Sequence, residues 1–169
     1  MPLKHIAIAA LIIACSLHAA AGATPLARTP WQTLAALDGS WRLAAPRTDG
    51  ERDFRISFRM ISRGSALVET FGNPAKNVTE TVYHRDGEKV MATHYCAQGN
   101  QPRLVLDAAP KPDGLTFRFF DITNLATPQA SHLIRIDFRI IERNQIERRE
   151  TYSENGVTDE SVLRLIRQR

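Results

Sequence analysis

"NVTETVYHRDGEKVMATHYCA" (residues 77–97) decides how this chain folds. Two runs rich in Val, Thr and Tyr flank Asp86-Gly87, the strongest short-range hairpin signal a sequence carries. With Asp86 and Gly87 as the centre of a two-residue type I′ turn, Arg85 pairs with Glu88, Tyr83 with Val90, Thr81 with Ala92, Thr79 with His94 and Asn77 with Cys96. Paired residues share a face of the sheet. One face then holds Thr79, Thr81, Tyr83, Val90, Ala92, His94 and Cys96. The other holds Val78, Glu80, Val82, His84, Lys89, Met91, Thr93 and Tyr95. Glu80 and Lys89 are costly to bury, so the second face is expected to point outward. A slip of one residue would reverse the assignment.

The same period of two runs outward from this hairpin. "SWRLAA" (40–45), "FRISFRMI" (54–61) and "ALVETFG" (66–72) precede it. "RLVLDA" (103–108), "LTFRFFDI" (115–122), "SHLIRIDFRII" (131–141), "IERRETYS" (146–153) and "VTDESVLRLIR" (157–167) follow it. Mostly tight turns join these segments. About ten strands in hairpin order predict an antiparallel meander, and closure into a barrel of eight to ten strands removes both sheet edges. A β-sandwich is the competing arrangement. Ahead of the strands, Thr29 is placed to cap a short helix with Pro30 in its first turn, and Gly39 is expected to end it.

Of the 169 residues, the first 23 read as a secretory leader: Lys4, the apolar run "IAIAALIIA" (6–14), then small residues with Ala21 and Ala23 in an A-x-A arrangement. The apolar run is too short to span a bilayer. "IIAC" (12–15) also fits lipidation of Cys15, so cleavage after Ala23 and a lipoprotein anchored through Cys15 both stand as readings. Either places the barrel, residues 24–169, in the periplasm or outside the cell. Removing Cys15 with the leader leaves Cys96 alone, so no internal disulfide is expected and the fold must rest on its core. The formal charge of +4 comes from 22 basic residues that recur at alternate strand positions instead of in a block. That spacing describes a solvated outer face, not a nucleic-acid stripe.

Gly39-Ser40-Trp41, at the start of the first strand after a short helix, resembles the G-x-W signature of lipocalin-like (calycin) barrels. The resemblance implies that Trp41 closes the barrel floor and that an arginine from a late strand, Arg164 or Arg167, packs on its ring. The chain departs from lipocalins in two ways. It has no long helix after the last strand, and its strand count is nearer that of fatty-acid-binding and nitrobindin-like barrels. The whole pattern, including "GSALVE", "THYCAQGNQPR" and "FDITNL", is also similar to an exported bacterial family known only as a domain of unknown function. That likeness implies fold and compartment but no activity. The axial histidine of nitrobindin-like barrels lies near the C-terminus, and no histidine follows His132 here.

The inward face around His94 is made of small or hydrogen-bonding residues where a filled core would show Leu and Phe. Two readings stay open: a cavity holding water or ligand, or a satisfied polar core. The expected job is binding a small, partly apolar molecule, with Tyr83, His94, Cys96, Asn100, Arg103, Asp121 and His132 as candidate contacts. A barrel enzyme using His94 as acid/base and an envelope structural protein with a filled barrel are the alternatives. His94 and Cys96 are compatible with a soft metal, with His132 and Asp121 as further ligands, but chance neighbours are the favoured reading. No metal, cofactor or catalytic residue is assigned. Asn100 and Arg103 belong to a polar turn, "GNQPR", where Arg could grip a carboxylate or phosphate.

Overall fold

A computed structural model describes residues 28–108 and 113–168. The leader reading of residues 1–23 and the lipidation reading of Cys15 lie outside the described residues. Ten strands form one closed antiparallel barrel: β1 (Gly39–Leu43), β2 (Arg55–Ile61), β3 (Ala66–Gly72), β4 (Val78–Asp86), β5 (Lys89–Tyr95), β6 (Gln101–Leu106), β7 (Gly114–Thr123), β8 (His132–Glu142), β9 (Gln145–Glu154) and β10 (Val157–Arg167). Each strand pairs with its neighbours in sequence, and β1 pairs with β10 to shut the ring. The meander is therefore a barrel and not a sandwich. Period-2 alternation carries Ile56, Phe58, Leu67, Tyr83, Ala92, Leu104, Phe117, Ile136, Phe138, Ile146 and Leu165 into the interior, all buried.

The hairpin at residues 78–95 differs from expectation by one turn position. Asp86 pairs with Lys89, so Gly87 and Glu88 are the central residues, and Tyr83 faces Ala92 while Thr81 faces His94. Gly87 has φ +58°. A positive φ at the first central residue followed by a non-glycine in ordinary conformation is the II′ pattern, whereas I′ would need positive φ at both. The correction moves the pairing by two positions in total. Parity survives, and Thr81, Tyr83, Val90, Ala92 and His94 are buried as the inner face. Cys96 has no strand partner, because β5 ends at Tyr95.

Helix α1 (Pro30–Ala35) has Thr29 at its N-cap in a reciprocal capping box with Gln32. Its C-cap is Ala36, and Gly39 instead opens β1. Gly39 has φ +124°, and a Cβ there would lie 2.8 Å from Arg167 Nη1. The guanidinium of Arg167 sits 4.2 Å from the Trp41 ring centroid. It donates to the carbonyls of Asp38 and, at 2.6 Å, Ala36. Trp41 is fully buried, and its indole N–H donates 2.8 Å to the Leu37 carbonyl. Arg164, the other candidate, lies on the outer wall near Glu147. A second helix, α2 (Asp49–Asp53), stands between β1 and β2, started by a capping box of Thr48 and Glu51. The T-x-x-E spelling of that box was readable, and the period-2 reading passed over it.

Strand directions place two unlike ends on the barrel. At the helix end lie α1, Trp41, the Gly87-Glu88 turn and the β8–β9 turn. At the far end lie loops 44–54, 73–77, 96–100, 124–131 and 155–156. Arg167→Ala is expected to cost about 2 kcal/mol, from loss of a partly desolvated cation–π contact and of hydrogen bonds to carbonyls. Chemical denaturation read by tryptophan fluorescence measures it, with the m-value unchanged if the ring still closes.

Candidate functional site at the far end of the barrel

The far half of the interior sets buried polar and charged side chains among apolar ones such as Ile56 and Leu133. Parity from Ile146 along β9 brings Arg148 and Glu150 inward, and parity from Leu67 along β3 brings Glu69 inward. Arg148 is 1% exposed and Glu69 is 0% exposed. Arg148 Nη2 donates 2.9 Å to Glu150 Oε1. Arg148 Nε lies 2.6 Å from Glu69 Oε1, yet neither atom has an aligned hydrogen-bond partner. That contact is held by charge more than by hydrogen-bond direction. Tyr83 Oη donates 2.5 Å to Glu69 Oε2. The guanidinium also lies 4.8 Å from the Phe71 ring centroid.

These groups reshape one another's acidity. Burial raises the Glu69 pKa, outweighing Arg148 and the Tyr83 hydrogen bond. Burial, and then the Glu69 charge, push Tyr83 well above an ordinary phenol. For Arg148 burial opposes the charge, but Glu150 and Glu69 more than offset it and hold the guanidinium protonated. Charges taken this far from water rarely repay their desolvation in stability alone.

His94 extends this network toward the rim. It is 1% exposed. Its Nδ1 lies 2.9 Å from Thr81 Oγ1 and its Nε2 lies 3.2 Å from Tyr152 Oη. A hydroxyl can donate or accept, so either tautomer of the neutral ring is satisfied. Burial lowers the His94 pKa from 6.5 to about 4; Glu150 opposes the shift and Arg148 assists it. Tyr152 is pushed upward by burial, then by Glu150, then by nearby Cys96. Cys96 contacts Gln98 Oε1. The chain of contacts Thr81–His94–Tyr152 thus runs from the buried wall toward the half-buried thiol of Cys96.

The candidate residues divide into two sets. His94 bonds to Tyr152, with Cys96 nearby, and Tyr83 belongs to the adjoining carboxylate cluster. Asn100 is buried and staples the loop between β5 and β6 to β8, its Nδ2 donating 2.9 Å to the Ser131 carbonyl. Its Oδ1 is buried without a hydrogen-bond partner. Arg103 and Asp121 pair with each other on the outer wall, Nε to Oδ1 at 2.6 Å, with side chains 46% and 40% exposed. That bond lowers the Asp121 pKa. His132 contacts the Ala130 carbonyl through Nδ1 at 2.7 Å, and its ring packs 5.4 Å from Phe119. Among the described residues no three His, Cys, Asp or Glu side chains converge as a metal site requires. Glu69, Arg148, Glu150 and Tyr152 were missed as interior groups, although strict alternation from Leu67 and Ile146 points to all four.

No protein-family model matches this sequence, and no curated protein matches it.

Two outcomes follow from the network. His94 should remain neutral in the folded protein until the pH approaches about 4, against 6.5 in the unfolded chain. Its contribution to stability is full above 6.5. It is lost as pH falls toward 4, on the order of 3 kcal/mol in all. Glu69 has a raised folded pKa, so its contribution has the opposite slope, present below its unfolded value and lost as pH rises. Comparing the acid limb of unfolding in wild type and His94→Gln isolates the histidine, whose removal should flatten that limb. Arg148→Met should destabilise by about 3–5 kcal/mol by stranding two carboxylates. Adding Glu69→Gln and Glu150→Gln should recover much of the loss in the same denaturation assay.

Proposed function

We propose that the protein is exported to the periplasm or beyond, and that it binds a small, partly apolar molecule at the far end of its lipocalin-like barrel. The observation that carries this reading is a cleft of about 490 Å³ with Tyr152 in its wall. Gln98 and Ser131 line one side, and Val157 and Thr158 line another. Its volume lies in the range of small-molecule sites. Tyr152 joins it to His94 and the buried charges behind. A ligand seated there would find apolar contact at Val157 and hydrogen bonds at Gln98, Ser131 and Tyr152. The helix end is plugged by Trp41 and Arg167, which leaves the far end as the approach. The centre of the barrel is filled by Phe58, Tyr83, Phe117 and Phe138, so the ligand belongs at the mouth and not in the middle. The leader-like residues 1–23 support export.

Acid/base catalysis by His94 is a second reading, favoured by the neutral ring held between two hydroxyls. It requires a substrate that reaches Tyr152 first, since the imidazole itself is covered.

Native mass spectrometry of the purified full chain, with an absorption scan, tests the binding reading. A retained small-molecule mass that disappears in Thr158→Trp, with thermal stability kept, is the expected result. A bare polypeptide mass, together with no thermal stabilisation by a panel of small amphipathic compounds, would leave the filled structural barrel instead.

A further inference from the structure

The helix end carries a second concavity, of about 680 Å³, on the side of the molecule away from His94. Its floor is apolar: Ile140 is half-buried, with buried Leu37, Trp41 and Ile146 behind it. Its rim is cationic, with Arg28, Arg143 and Arg167 set against the single carboxylate of Glu142. Arg28 precedes α1, Arg143 sits in the β8–β9 turn and Arg167 ends β10, so three separate parts of the chain bring guanidiniums to one opening.

Two of these cations, Arg28 and Arg143, are not accounted for by the fold. Among the described residues Arg28 and Arg143 form no ion pair, although most other arginines of the barrel wall find a carboxylate, as Arg103, Arg118, Arg135 and Arg149 do. Arg167 is bound to the carbonyls of Ala36 and Asp38 and to the face of Trp41, with no carboxylate hydrogen bond. Burial lowers its pKa, the Asp38 carboxylate opposes that shift, and nearby Arg143 lowers it further. Like charges crowded at the lip of an apolar hollow repel one another, and an anion drawn between them would relieve that repulsion.

The geometry points to this hollow as a binding site for a single-chain amphipathic anion. Its carboxylate or phosphate head lies among Arg28, Arg143 and Arg167, and its apolar part lies over Leu37, Trp41, Ile140 and Ile146. The planar forks of Arg28 and Arg143 suit a two-oxygen head group, while Arg167, committed to its carbonyls, adds charge. The site is independent of the cleft beside Tyr152 and of what that cleft binds.

Trp31 and Trp41 are the chain's two tryptophans, and both lie at this end, so their emission reports occupancy. The probe is octyl phosphate below its micelle concentration, titrated into the full chain. A saturable emission change is expected, with affinity at least tenfold weaker in Arg28→Glu/Arg143→Glu. Arg164→Glu, on the outer wall, and Thr158→Phe, in the far cleft, should bind as wild type does. Both arginines of the double variant are exposed and bear no fold contact, and far-UV circular dichroism checks that it folds. Arg143→Gln alone, with a smaller loss, serves if it does not. Equal binding by the double variant overturns the site. So does equal binding of octanol, equal binding of inorganic phosphate, or a response only to phosphatidylglycerol vesicles and not to the monomeric phosphate.

Discussion

The fold depends on the closure of β1 against β10. Only three residue pairs make that seam, Trp41 with Arg167, Arg42 with Ile166 and Leu43 with Leu165, whereas β9 and β10 share ten. So short a ladder would be a weak edge by itself. It is reinforced by the stack of Arg167 on Trp41, by the Ser40 Oγ hydrogen bond to Gln168, and by the carbonyls that Arg167 gathers from the end of α1. Gly39 makes the arrangement sterically open. Its backbone takes a conformation that side chains disfavour, and the space a methyl would fill is taken by the guanidinium.

With the ring shut at one end by aromatic and aliphatic packing, the buried polar groups gather toward the other end, within the same apolar core. Leu34, Leu37, Trp41 and Phe58 fill the helix end. Glu69, Arg148, Glu150 and His94 occupy the far half. The apolar part provides the hydrophobic driving force, and the polar part draws on it, because each buried charge is favourable only while its partners are in place. The network is also directional. From the imidazole, which feels the charges of Glu150 and Arg148, it leads through Tyr152 to the surface cleft.

Much of this was legible in the residues. All ten strands lie where alternating runs place them, and the inner face of the central hairpin is the one that the cost of burying Glu80 and Lys89 selects. The exact turn was not legible, because Asp86-Gly87 and Gly87-Glu88 are both good hairpin centres and differ only in which backbone takes a positive φ. The buried ions were hidden by a sound rule. Arginine and glutamate are expected outside, so "IERRETYS" reads as a solvated strand even though Ile146 fixes its parity. Glu150 beside it and Glu69 of β3, more than seventy positions earlier, together make Arg148 tolerable inside. Arg103 and Asp121 were expected at a polar turn, but they lie opposite each other on β6 and β7 and face outward. Neither concavity could be read from sequence, since each is made by residues that meet only after closure.

The seam also sets an order in time. Every other strand pair joins neighbours along the chain and can form as a local hairpin, at little loop-closure cost. Ser40 and Gln168, which meet across the seam, stand 128 positions apart, so this contact assembles last. Until it does, β1 and β10 are two unpaired edges on an otherwise formed sheet. That late species is the one open to trading its terminal strand with a second copy of itself.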